Sequence, residues 1–365
     1  MIISTCTEHL TDPRKQKNQR YSLNSLVLII FSSVISGYDS AEEISEFAKL
    51  KIDWLRKFVD LESTPCAETI RFLLCAIAPN ELIKCFEIFI QENNIDSEGD
   101  IISIDGKTMR GTRTKNNDAL HIVSAWSNKH GITLSMLESK GKKNEIKTIP
   151  DLLDIVDIKK AIVTTDAMGC QKRIASKIVG KKGDYVLQLK GNQGSLFEEI
   201  KAYHHRLQRT NYDDIDVDVY EEVDKGHGRL EIRKYTHLPI TNWVSGSDGW
   251  VNLNSFVMVE RTRESNKGIQ KETSWYISSL DINAKRVAHA IRSHWGVENP
   301  LHWRLDVVFD EDGCALHSGS GPLNMGIIKR FCMNLLSKDT TIKRMKHRVM
   351  AASVDDSFRE KVLFG

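Results

Sequence analysis

The sequence predicts a mixed α/β protein: helices flank a central sheet, an all-α region precedes it, and a β-rich insertion interrupts it. Three observations carry this reading. Apolar residues recur at helical spacing through residues 22–94. At residue 100 short β-branched runs begin to alternate with helical stretches, the pattern of a mixed sheet. Between about 205 and 282 strand-like alternation broken by glycine turns takes over, and helical spacing then returns.

The elements follow in order. Residues 1–20 form a polar arm with Arg14, Lys15, Lys17 and Arg20 near its end. Residues 21–97 form a helical N-terminal domain. Its first helix carries Leu23, Leu26, Val27, Ile30 and Val34; a second segment carries Ile44, Phe47, Ala48, Trp54, Leu55 and Phe58. A third helix is expected at Thr64-Pro65, an N-cap followed by proline at the first helical position, and a fourth at Pro79. Residues 98–365 form a second domain. Ile101, Ile102 and Ile104 predict a short strand ending at Asp105-Gly106. His121–Trp126 and Ile132–Leu137 predict a hairpin around Asn128-Lys129-His130-Gly131. A helix over 144–156, a strand over Ala161–Thr165, a helix over 171–179 and a strand over Tyr185–Leu189 complete the sheet. Four strand-like runs fill the insertion. A helix over Ala284–Glu298 and a last one over Leu323–Leu336 close the chain.

Bulk properties narrow the function. The chain has 365 residues, 41% hydrophobic and 27% charged, ordinary values for a globular protein with a large core. Its longest apolar stretch, Leu23–Ile35, is too short for a bilayer and contains four polar residues, so a membrane partner is not expected. The N-terminus shows no secretory pattern. Seven cysteines without a CxxC pair or zinc spacing suit free thiols in a reducing cytoplasm, the expected location, at the nucleoid. The net charge is only +2, but Asp105–Ser195 carries 17 Lys+Arg against 9 Asp+Glu, and Asp213–Asp224 carries 7 acids and no base. A basic middle attracts polyanions, although a solvated lysine-rich face would look the same.

Two aspartates stand out. Asp105 closes an apolar run and opens the basic loop Gly106-Lys107-Thr108-Met109-Arg110-Gly111. Asp166 ends Ala-Ile-Val-Thr-Thr. Either alone is explained by a turn or a helix cap. Two strand-end aspartates in one sheet together suit a hard cation, which takes oxygen ligands. His294, Glu298 and His302 are spaced to share a helix face, a possible zinc set, but Pro300 is expected to kink the helix within it. Trp295 and Trp303 are expected to pack in the core. Lys190 follows a strand where it can meet phosphate. In Lys225-Gly226-His227-Gly228-Arg229-Leu230-Glu231-Ile232-Arg233, Arg229 and Arg233 fall on one strand face, for phosphate or for salt bridges. The string Gly106-Lys107-Thr108 lacks the second glycine of a P-loop.

Five motifs then occur in a telling order: Ile104-Asp105-Gly106-Lys107, Thr165-Asp166-Ala167-Met168-Gly169-Cys170-Gln171, Lys190-Gly191-Asn192-Gln193, Gly226-His227-Gly228-Arg229 and His294-Trp295-Gly296-Val297-Glu298-Asn299. In this order the chain resembles ISAs-type insertion-sequence transposases of the DDE class, including the H-repeat-associated proteins beside Rhs elements. The resemblance spans nearly the whole chain. It implies an RNase H-like catalytic core in which Asp105, Asp166 and Glu298 are catalytic and hold two Mg2+ ions, with Mn2+ as substitute. It implies double-stranded DNA as partner, both the element's terminal inverted repeats and the target, gripped by a homodimer assembled on DNA. Lys107, Arg110, Lys190, Arg229, Arg233, Arg292 and His294 are the DNA-binding candidates. Related enzymes carry a Tyr and an Arg before the Glu and a Lys after it; here Ile291, His294 and Leu305 stand at those spacings, with Arg292 as substitute for the Arg. Alternatives are a DNA-binding remnant without turnover, a stand-alone nuclease and, from paired acids alone, a glycosidase.

Overall fold

The structure, a computed structural model, describes residues 8–15, 17, 19–115, 118–213, 215–226, 229–266 and 268–365. Most of the expected polar arm's first residues, and His227-Gly228 of the fourth motif, lie outside these.

The N-terminal helices are α1 (Leu23–Ile35), α2 (Ala41–Leu50), α3 (Ile52–Leu55), α4 (Ala67–Ala76) and α5 (Pro79–Glu92). Helix α1 is buried almost all round. Its serines survive there because Ser32 and Ser33 return their hydroxyls to the carbonyls of Leu28 and Ile29 at 2.6 and 2.8 Å. Ser40 and Glu43 make a reciprocal cap at the start of α2. Helix α4 starts after Cys66, two residues beyond the expected Thr64-Pro65, whereas α5 starts at Pro79 as its sequence requires.

Then come β1 (Ile101–Met109), β2 (Leu120–Ser127), β3 (Ile132–Ser139), α6 (Glu145–Ile155), β4 (Ile162–Thr165), α7 (Lys172–Gly180), β5 (Asp184–Leu189) and α8 (Gly194–Arg209). The region expected as an insertion holds β6 (Asp218–Gly226), β7 (Arg229–Pro239), β8 (Ser255–Ser265) and β9 (Gly268–Ser278). These four strands extend the same sheet, because β9 pairs antiparallel with β5. One nine-stranded sheet results, in the order β3-β2-β1-β4-β5-β9-β8-β7-β6, with β1, β4 and β5 parallel. Helix α9 (Ala284–Gly296) runs on without a break as a π-helix over Val297–Trp303 and then α10 (Arg304–Val307). Three helices close the chain, α11 (Gly321–Ser337), α12 (Met345–Val354) and α13 (Asp356–Phe364), so the expected last helix is followed by two more.

Strand alternation sends side chains to two faces. One face carries Ile102, Ile104, Val163 and Leu187 into a core covered by α6, α7 and α8. The other carries Ile101, Ile162 and Val186 against Val287, Ala290 and Ile291 of α9. Beside α9, Met109, Ile122, Trp126 and Met136 join a third core built from α1, α2, α5 and α11. The N-terminal helices therefore share one apolar interior with the chain's last third. Among the described residues no helix is long and apolar enough to cross a membrane.

Candidate active site

The parallel ladder between β1 and β4 sets the site. Ile104 pairs with Thr165, the last rung. Asp105 and Asp166 each follow by one residue, so they stand side by side where the parallel ladder ends, Asp166 at the carboxyl end of β4, the end at which α/β sheets place their sites. They also share a face. Ser103 and Thr164 are register partners, joined by their hydroxyls at 3.1 Å, and alternation returns both aspartates to that side. That side is the one α9 covers.

Strand β1 does not stop at Asp105-Gly106. It continues to Met109, held by β2 from Ile102 to Met109. Gly106 is thus a strand residue rather than a turn. A Cβ there would lie 2.3 Å from His121 Nε2 and 2.5 Å from Glu145 Oε1. Those two buried groups are bonded to each other at 2.6 Å.

Asp166 is held by its own turn. Its Oδ1 accepts from the amides of Met168 and Gly169 at 2.9 and 3.2 Å. The Lys190-Gly191-Asn192-Gln193 motif supports that turn from behind: Asn192 donates to Ala167 O at 2.7 Å, and Gln193 to Cys170 O at 2.8 Å. Lys190 itself remains exposed.

Glu298 sits in the π segment. Pro300 has no N–H to give and would clash in an α-helix; widening to π lets the helix pass through it instead of kinking. Glu298 and His302 consequently both reach the Asp105 neighbourhood. Burial, then the charge of Asp166, and more weakly Glu145 and Glu298, push the Asp105 carboxyl up to about 7. Desolvation and Asp166 also raise Glu298. The three acids are close enough to repel one another. Among the described residues, however, no three His, Cys, Asp or Glu side chains are gathered to hold an ion.

A groove of about 270 Å³ opens over Asp166 and Glu298, lined also by Lys190, Arg233, Arg261, Arg292 and His294. Its far wall is a charged row across four strands: Glu222 pairs in register with Arg233, Arg233 with Arg261, and Arg261 with Glu272. Arg233 is buried between Glu222 and Glu231, Arg261 reaches Glu231 at 2.6 Å and Glu272 at 3.4 Å, and Arg292 reaches Glu222 at 3.4 Å. The acidic run therefore supplies a partner to this wall.

The DNA-binding candidates separate. Lys190 and Arg292 line the groove with an accessible charge. Arg233 lines it but is locked in ion pairs. His294 lines it as a neutral ring, since burial holds it down at about 4 against the pull of Asp166. Arg229 is exposed at the start of β7 and Arg110 beyond the end of β1, both away from the groove lining. Lys107 must be withdrawn as a phosphate contact. It is 7% exposed and pairs with Asp306, Glu311 and Asp312 at 2.6, 3.3 and 3.4 Å. The expected burial of Trp295 and Trp303 is also corrected: they are 41% and 56% exposed, and Arg261 lies 5.7 Å from the Trp295 ring centre.

Residues 96–335 match the family model described as Transposase DDE domain, and residues 5–90 match that described as DDE_Tnp_1-associated. The chain belongs to the DDE transposase family. This transposase-family chain is 34% identical to "Putative protein YbfL" of Escherichia coli K12, covering 100% of this chain and 99% of that one. It is 33% identical over the same shares to "H repeat-associated putative transposase YhhI" of the same organism. The resemblance read from the five motifs is thereby upheld. One solved chain, in "Cryo-EM structure of piggyBac transposase synaptic complex with hairpin DNA (SNHP)", aligns over 100% of this chain and 78% of its own at 12% identity, with a TM-score of 0.46. Among the groove residues of the transposase-family chain that spacing alone does not single out are Arg261 and Gln188. Arg261 had a signal, the alternation Arg261-Thr262-Arg263 on one strand; Gln188 had none.

Proposed function

We propose that the chain is a DNA transposase of an insertion-sequence element, with an RNase H-like core, that cuts the element's ends and joins them to target DNA. The observation that carries this is the ladder register, which sets Asp105 beside Asp166 under the helix bearing Glu298. Three carboxylates short of countercharge, one pushed up to about 7, suit hard divalent cations. Asp105, Asp166 and Glu298 would hold two Mg2+ ions, with Mn2+ able to substitute, and these supply a water or 3′-hydroxyl made ready for attack and charge stabilisation of the leaving 3′-oxygen.

The chain's own groups do the rest. Asp166 is oriented by the two amides that it accepts from, so it need not reorganise. Lys190 and Arg292 grip phosphates along the groove. Arg233 and Arg261, each paired on two sides, hold the wall in shape. Arg229 and Arg110 would meet the duplex outside the groove. His294 can accept a hydrogen bond at Nε2: Ser103 donates to Ser293 O, so Thr164 donates to Ser103 and takes the N–H of His294 Nδ1 at 3.0 Å. The partner is double-stranded DNA, terminal inverted repeats and target, held by a homodimer on DNA. The helical region 21–97 and the catalytic region from 98 onward are proposed as the two functional units.

The test is strand transfer on the element's own terminal repeats with Mg2+. Asp105→Asn, Asp166→Asn and Glu298→Gln should each lower cleavage by about 10²–10³-fold or more while DNA binding persists. Wild type that binds its ends and never nicks them with Mg2+ or Mn2+ contradicts the proposal.

A further inference from the structure

Behind Asp105 lies a buried polar group that the proposed chemistry does not use. His302 stands one turn beyond Glu298 in the π segment. Its Nδ1 is 3.7 Å from Asp105 Oδ2, and both side chains are mostly buried, at 14% and 19% exposed. Its Nε2 is buried with no hydrogen-bond partner among the described residues. The same is true of Arg330 Nη2. Arg330 is fully buried on α11, donating to Glu311 Oε1, to Gly326 O at 2.9 Å and to Ser124 Oγ at 3.2 Å. Ser124 is the register partner of Asp105 on β2.

A neutral imidazole has one N–H and one lone pair, and its surroundings choose which nitrogen carries which. Here the surroundings are polarised. On the Nδ1 side is a carboxylate. On the other side, Nε2 meets no donor or acceptor among the described residues. A carboxylate calls for an N–H, and Nδ1 is the nitrogen that faces it. The tautomer protonated on Nδ1 meets that demand.

We propose that His302 is a positioning residue for Asp105, donating Nδ1–H to its Oδ2 so that the other oxygen is turned to the metal. This rests on the reading of Asp105 as a metal-holding carboxylate. Ligating carboxylates are themselves hydrogen-bonded from behind, and losing such a partner typically costs 10–100-fold in metal affinity. The π turn has a role in this account: it brings Glu298 and His302 to the same carboxylate from one helix. The arrangement also differs from a zinc set, since His302 serves as donor and not as ligand.

The experiment is a Mn2+ titration of the full chain, read by the loss of free-ion EPR signal, on wild type and three variants. His302→Ala should weaken Mn2+ binding about 10–100-fold. His302→Asn, whose amide nitrogen falls near the Nδ1 position, should recover most of it. His302→Gln, whose amide falls near Nε2, should not. Equal recovery by Asn and Gln, or no loss in the alanine variant, overturns the proposal. Because alanine could loosen the core, a second reading is made on wild type: ring 15N shifts of labelled histidine, with the His302 signal assigned by its loss in His302→Asn. A signal protonated on Nδ1 is expected; one protonated on Nε2 overturns the proposal. Wild type that takes up no Mn2+, with the Nδ1 tautomer present, removes the metal reading of Asp105 and this inference with it. Mn2+ uptake with the other tautomer removes this inference alone.

Discussion

Lys107 and Lys190 look alike in the sequence, each close to a motif acid, yet the fold gives them opposite tasks. Lys107 is a buried cation that neutralises Asp306, Glu311 and Asp312, while Lys190 is exposed at the groove. Lys107→Met should therefore destabilise the protein by about 3–5 kcal/mol in urea unfolding, because it leaves buried Glu311 short of a partner. Lys190→Ala should leave stability within about 0.5 kcal/mol. It should reduce the slope of log affinity against log salt for DNA by about 1. If the two variants behave alike, the burial assignment is wrong. Gly106 makes a similar point. Gly106→Ala drives a methyl into the His121–Glu145 pair and should cost about 1–3 kcal/mol, checked by the unfolding midpoint. Asp105 and Asp166 stand out in the sequence because each closes an apolar run, whereas Glu298 is singled out only by the resemblance of its motif. Lys107 was misread because its three partners lie about 200 residues away.

At the level of elements, pairing decided what spacing could not. The alternation of residues 217–277 identified β6 to β9, but only the β5–β9 ladder makes them part of one sheet. Helix α8 escaped notice because its buried residues, Leu196, Ile200, Tyr203, His204 and Leu207, include two polar-tipped rings. Helices α12 and α13 offer few apolar positions, and α13 buries an arginine, Arg359. The π segment has no sequence signal beyond Pro300, which suggests a kink rather than a widened turn. The charged row across β6 to β9 yields a prediction of its own. Glu222 restrains Arg233 and Arg292 at the groove wall. Glu222→Gln keeps an acceptor for the Tyr235 hydroxyl, bonded at 2.9 Å, but removes a negative charge. Binding of duplex DNA should tighten and its salt dependence steepen. Unchanged affinity and slope would mean that the wall does not meet phosphate.

Across the whole molecule, four buried or partly buried histidines, His204, His237, His294 and His302, set the response to acid. Burial holds His204, His237 and His294 down at about 4 and His302 at about 3, against about 6.5 in an unfolded chain. Since the unfolded state takes up protons first, the stability tied to these rings is present above pH 6.5 and is lost as pH falls toward 4. The melting temperature should fall progressively from pH 6.5 to 4.5. Asp105 acts oppositely. Its folded value is raised to about 7, so its contribution is fully present below the unfolded value near 3.8 and is lost as pH rises through 7. Asp105→Asn should therefore raise the melting temperature more at pH 8 than at pH 5; equal gains would contradict the crowding of the three acids. That crowding is the central claim, and crystals of the protein on its terminal-repeat DNA, soaked with Mn2+, test it most directly. Anomalous scattering should show two peaks about 3.5–4 Å apart, bounded by Asp105, Asp166 and Glu298. Peaks held by other side chains, with those three carboxylates unligated, would contradict the account.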